Sequence, residues 1–137
     1  MVQVLRRGGW VFYLGEDYQE LDPRKCGKWM YFFADLNRAE DLCRIAVEEG
    51  VVVESKHTDA PNGVCCFYLN GDNVKSHRRT LEFFLAHDMI RKTKAGKYFN
   101  ISFKYDGQTL SGEYGRDFRG QIKLNQFMDL ETGAWLI

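Results

Sequence analysis

Lys28, Lys56, Tyr68 and Lys104 are the side chains of this sequence whose types and placement allow chemistry on an anion. A lysine ammonium is a compact charge with three donors, and a tyrosine hydroxyl both donates and accepts. A group of them on one surface would receive the oxygens of a phosphoryl group. Trp29, together with Trp10, offers a second chemistry: an aromatic slot able to stack a base or hold a methylated cation. Each has a plainer reading. Lys28 is also what a strand start exposes to water, Glu54-Lys56-Thr58 is also an ordinary solvated strand face, and a buried tyrosine commonly only satisfies its hydroxyl. The tryptophans also suit a core or a sheet edge. The cations Arg91, Lys92, Lys94 and Lys97 surround Gly96, as a basic loop that either meets an acidic partner or complements the dipole of a preceding helix.

These residues need strands and turns to bring them together. Trp10–Leu14 and Lys28–Phe33 are rich in β-formers, with a polar loop from Gly15 to Pro23 between them. Asn37 followed by Glu40 predicts a capped helix over Asn37–Glu49, with Leu42, Ile45 and Ala46 on its apolar side and Gly50 as its end. Val51–Val53 starts a further strand by β-branched content. Asp59-Ala60-Pro61-Asn62-Gly63 turns the chain into the strand Val64–Leu69. Asp72 is the expected cap of a helix over Asp72–Met89, with Val74, Leu81, Phe84, Leu85 and Met89 as its buried stripe. Tyr98–Tyr105 alternates, with Phe99, Ile101, Phe103 and Tyr105 inward. Asp106-Gly107 then reads as a two-residue hairpin returning through Gln108–Tyr114, and Gln121–Leu130 with Trp135 supplies the last strand material. By the same alternation, His57 is turned away from Lys56 and reads as a packed core histidine.

At 137 residues the chain is expected to form one domain, residues 1–137, large enough to bury a core unaided. Nineteen Lys and Arg balance nineteen Asp and Glu, which removes the strong positive field of a dedicated nucleic-acid binder. No apolar run approaches the roughly 18 residues of a membrane span, and the opening residues lack the apolar stretch of a signal peptide, so a cytoplasmic location is expected. Cys26, Cys43, Cys65 and Cys66 fit no zinc spacing and read as reduced thiols; no metal or cofactor is called for. The predicted order of elements gives an α+β fold: a curved, mainly antiparallel sheet with two helices on one face and a partly polar face opposite.

That order resembles the fold of the messenger-RNA cap-binding translation initiation factor. Gly27-Lys28-Trp29-Met30, Lys56 with Thr58, and Lys104-x-Asp106-x-x-Thr109-x-x-Gly112-x-Tyr114 look like the family that contains the basophilic leukemia expressed protein, whose bacterial members are described as phosphothreonine lyase domain proteins. The resemblance spans Trp10 to Tyr114. A second, to the secreted phosphothreonine lyases, rests on Lys28, Lys56 and Tyr68. It implies a β-elimination with Lys56 as base and Lys28 and Lys104 holding phosphate. In those lyases a histidine follows the first lysine by two residues, and here that position is Met30, which offers no proton for the leaving group. The reading carried forward is a binding or regulatory protein for an anionic ligand or a protein partner, using Lys28, Lys56, Tyr68 and Lys104. The elimination enzyme, and an RNA or nucleotide binder with Trp29 as its platform, stand as alternatives.

Overall fold

The computed structural model describes residues 2–107 and 122–137. Strands β1 (Gln3–Arg7) and β2 (Trp10–Leu14) form a hairpin, followed by β3 (Cys26–Phe33), helix α1 (Leu36–Glu48), β4 (Glu54–Thr58) and β5 (Gly63–Asn70). Helix α2 (Val74–Ala86), β6 (Ser102–Tyr105) and β7 (Ile122–Lys123) complete the order. Among the described residues the strands make a curved antiparallel sheet in the order β1-β2-β4-β5-β3-β6-β7. This is the α+β architecture expected from the element pattern.

Strand alternation sorts the sheet into two faces. Val11 and Tyr13 of β2, Ser55 and His57 of β4, Cys65, Phe67 and Leu69 of β5, Trp29 and Phe33 of β3 and Phe103 of β6 are all buried. Both helices cover them: the Ser55 hydroxyl donates to the Cys43 carbonyl of α1 at 2.8 Å, and the Phe67 ring packs edge-on against Phe84 of α2 at 5.2 Å. Ala39, Leu42, Cys43, Ala46 and Val47 are the inward stripe of α1. The opposite face, open in that neither α1 nor α2 packs on it, carries Trp10, Phe12, Glu54, Lys56, Cys66, Tyr68, Lys28 and Lys104, of which Lys28, Cys66 and Tyr68 are nonetheless buried.

Several boundaries differ from expectation, each for a local reason. The cap of α1 is Asp35, not Asn37: its Oδ1 accepts from the backbone N–H groups of Asn37 and Arg38. The cap of α2 is Asn73, whose Oδ1 accepts from the Ser76 N–H, while Asp72 pairs with Lys25 at 2.9 Å. Val74, at the first helical position, is about half exposed and leaves the expected stripe, and α2 ends at Ala86 rather than Met89. Val51 and Val52 do not begin a strand. Their N–H groups both bond to the Ala46 carbonyl and finish the C-terminus of α1 beyond Gly50, whose φ is +71°. Only Ser102–Tyr105 of the Tyr98–Tyr105 run is strand, and Phe99 is 46% exposed. Asp106 and Gly107 are helical rather than a hairpin turn, and the described strand that pairs with β6 on its outer side is β7. The expected strand Gln108–Tyr114 lies outside the described residues. β1, read only as lacking a leader, is an edge strand exposed along its whole length.

Candidate functional site

Cross-strand register assembles the open face in transverse rows. One row runs Leu14, Glu54, Tyr68, Lys28, Lys104; the next runs Phe12, Lys56, Cys66, Met30. Directly paired residues hold their Cβ atoms about 5 Å apart, so Tyr68 and Lys104 flank Lys28 on either side and Lys56 stands diagonal to Tyr68. Four of the five side chains expected at the site, Lys28, Lys56, Tyr68 and Lys104, thus share one surface.

Trp29 does not. It faces the helices with no exposed surface, and its Nε1–H donates to Nδ1 of His77 at 3.0 Å, so it is no stacking platform for a ligand on the open face. The cause is strand parity, since Trp29 alternates with Lys28 and the two cannot point the same way. Trp10 stands on the open face, but its ring is covered by Lys56, whose Nζ lies 4.0 Å from the ring centroid. Phe12 at 5.5 Å and Tyr68 at 5.8 Å complete an aromatic surround of the ammonium.

Lys28 is held differently. Its side chain is 11% exposed, and Nζ donates to Asp106 Oδ1 at 2.7 Å while also lying 5.8 Å from the Tyr68 ring centroid. Cys26 Sγ donates to the other Asp106 oxygen at 3.5 Å. Burial, reinforced by the Asp106 charge, pushes the Cys26 thiol up to about 11. Burial pushes the Cys66 thiol to about 11 as well, against the pull of Lys56 and Lys28. Both thiols are therefore protonated near neutrality and poor nucleophiles. Burial raises the Tyr68 phenol well above its ordinary range, so it serves as a neutral hydrogen-bonding group. Lys104 is pulled below the usual lysine value, first by burial and then by Lys28. Glu54 is raised, first by burial and then by Asp106, with Lys56 opposing.

Glu54 and Tyr68 of this row border a cavity of about 420 Å³ whose other walls include Tyr18, Leu21, Cys26 and Asp106. Glu54 read from sequence only as part of a solvated face, and Asp106 as a turn residue and a member of the Lys104-x-Asp106 motif, with no role at the site. Their entry into the site follows from register, for which sequence spacing holds no signal beyond the parity that put Glu54 with Lys56. His57 is fully buried behind the sheet. Its Nδ1–H donates to the Thr58 carbonyl at 2.9 Å, which leaves Nε2, 3.1 Å from the Tyr13 hydroxyl, to accept from it. Met30 lies on the open face opposite Cys66, where the lyase pattern has its histidine. In the basic segment, Lys97 pairs with Glu131 at 3.0 Å and Lys92 lies 4.8 Å from the Tyr98 ring centroid. Among the described residues there is no cluster of three or more His, Cys, Asp or Glu side chains able to hold a metal ion, and no helix is long and apolar enough to cross a membrane. No family model, curated protein or solved structure matches this chain.

Proposed function

We propose that this chain is a small binding module that takes an anionic, phosphoryl-bearing ligand on its open sheet face, with Lys28, Lys56, Lys104 and Tyr68 as the receptor. The observation that carries this reading is the register Lys104, Lys28, Tyr68, with Lys56 diagonal to it. Like charges directly opposite on neighbouring strands repel, and an anion bridging Lys28 and Lys104 turns that repulsion into two charge-assisted hydrogen bonds. The Tyr68 hydroxyl supplies a neutral donor beside them. Asp106 occupies Lys28 in the free protein and is the intramolecular competitor that a ligand displaces.

Binding is favoured over elimination on chemical grounds. β-Elimination of phosphate needs a base for the α-proton and an acid for the leaving group. Met30 supplies neither, His57 points to the far side of the sheet, and Lys56 Nζ is packed against the Trp10 ring at 4.0 Å. A phosphothreonine peptide should therefore bind without losing phosphate.

The test is a titration of inorganic phosphate and then of the phosphothreonine peptide, followed by backbone amide shifts and by mass spectrometry. The expected result is saturable shifts along β3, β5 and β6 around Lys28, Tyr68 and Lys104, weakened at least threefold in Lys104→Gln, with no change in peptide mass. Shifts confined to Arg91–Lys97 would move the site to the basic segment. A mass loss abolished by Lys56→Ala would make this protein an enzyme.

A further inference from the structure

The sheet is incomplete on the β6 side of β3. β6 pairs with Gly27, Lys28 and Trp29, so among the described residues no strand lies beside the second half of β3, Met30–Phe33, on the edge away from β5. In an antiparallel ladder alternate residues turn their backbone groups to each side, and on this edge they are Met30 and Phe32: the pairing of Trp29 with Phe103 sets the Met30 N–H against the Ser102 carbonyl, and Phe32 has no backbone partner there among the described residues. The chain that would continue β6 turns away. The Ile101 N–H bonds back to the Phe99 carbonyl, and the Phe99 N–H to the Arg91 carbonyl.

A cleft of about 450 Å³ fills the gap, with Met30 and Phe32 on one wall, Phe99 and Ile101 on the other, Met89 at the helix side and Arg91 as its cation. Phe32 is 66% exposed and Phe99 46% exposed, so two large apolar side chains stand in water at the rim. A groove whose floor includes the free Phe32 edge of a strand has room for an added strand. An extended peptide meets all of its features at once: backbone amides for the β3 edge, alternate apolar side chains for the walls, and an acidic residue for Arg91.

We propose that the cleft between β3 and residues 99–102 binds an extended acidic-apolar peptide segment from a partner protein, which adds to the sheet beside Met30–Phe33. The run of four strand residues is roughly 13 Å long, enough for a short recognition segment and no more. This site is separate from the lysine face and does not depend on it.

The probe is a blocked peptide of about five residues, matched to that length, alternating phenylalanine or valine with glutamate. It is titrated into the full chain while backbone amide shifts and hydrogen exchange are followed. The expected result is saturable shifts at Met30–Phe33 and Phe99–Ser102, with slowed exchange of the β3 edge amides. N-methylation of the peptide amides that face β3 should weaken binding at least tenfold, and Arg91→Glu at least threefold. Equal binding of the methylated peptide would show an apolar pocket rather than strand addition, and an unchanged affinity in Arg91→Glu would remove the acidic residue from the recognition. Either result overturns the proposal, as does the absence of saturable binding. The same shifts appearing on concentrating the protein alone would make the occupant a second copy of this chain, and that overturns it too.

Discussion

At the scale of single residues, the open face pairs each lysine with a different kind of stabilisation. Lys56 rests among aromatic rings, whereas Lys28 depends on the Asp106 carboxylate at 2.7 Å. Asp106 is a third exposed, so water screens the pair and its worth is that of a half-solvated charge-assisted bond. Asp106→Asn therefore has two opposite effects. It takes the carboxylate from a mostly buried ammonium, and a stability loss of about 1–3 kcal/mol is expected. It also removes the negative charge an incoming anion must displace, so phosphate should bind about three- to tenfold more tightly, a gain of about 0.7–1.4 kcal/mol. Urea denaturation and phosphate titration of the same variant check both signs. Weaker binding with lower stability would mean that Asp106 positions Lys28 rather than competing for it. Sequence alternation was sufficient to set Lys56 apart from His57. It failed for Trp29 because the segment around it has no polar alternation, so the parity that joins it to the core became visible only once Lys28 was paired with Tyr68 and Lys104.

At the scale of elements, what was legible is what local chemistry decides. Periodicity placed both helices and the β2, β3 and β5 strands, while caps slipped by one or two positions because several Asp and Asn residues compete at each start and tertiary partners choose among them. Asp72 is drawn off by Lys25, and Asn73 caps instead. The Tyr98–Tyr105 alternation overran because residues 98–101 spend their backbone groups outside the sheet: the Phe99 N–H bonds to the Arg91 carbonyl and the Ile101 N–H turns back to the Phe99 carbonyl, so the ladder begins only at Ser102. Gly27 shows why the β3–β6 junction tolerates no side chain. A Cβ there would fall inside van der Waals contact of the Lys104 carbonyl oxygen and 2.7 Å from Phe103 ring carbons, so the glycine lets β6 approach β3. Gly27→Ala is expected to cost about 1–3 kcal/mol by overpacking and to push Lys104 away from Lys28, weakening phosphate binding at the same time. A wild-type urea midpoint and unchanged phosphate affinity would show that the two strands are not in mutual contact at this point.

At the scale of the whole molecule, the covered face of the sheet is joined to α2 through a buried histidine whose protonation state is set by geometry. His77 is 1% exposed, packed between the rings of Phe103 at 4.8 Å and Phe127 at 4.9 Å. Trp29 Nε1–H donates to its Nδ1, so Nδ1 carries no proton, and Nε2–H donates to the Gly71 carbonyl at 2.8 Å. Only the neutral ring satisfies both, because a second proton would set an N–H against the Trp29 N–H. Burial accordingly holds the His77 pKa below its ordinary value of 6.5, with the Gly71 carbonyl and Asp72 opposing more weakly. The sign follows from linkage. Above 6.5 neither the folded nor the unfolded chain protonates this ring, and its contribution to stability is fully present. As pH falls below 6.5 the unfolded chain takes up a proton that the folded chain refuses, so stability is lost until the lowered folded pKa is reached. The slope is at most about 1.4 kcal/mol per pH unit for this one proton. Glu54 acts in the opposite sense, its raised pKa letting the folded chain bind a proton first, but only toward its ordinary value of 4.5. Urea midpoints measured from about pH 7.5 down to about pH 5.5 isolate the histidine range, and the midpoint is expected to fall across it with a parallel change in Trp29 fluorescence. In His77→Gln the starting stability should be lower, and both the slope and the fluorescence change should shrink. An unchanged slope in that variant would assign the acid sensitivity to a different group and leave the Trp29–His77 hydrogen bond a packing contact alone.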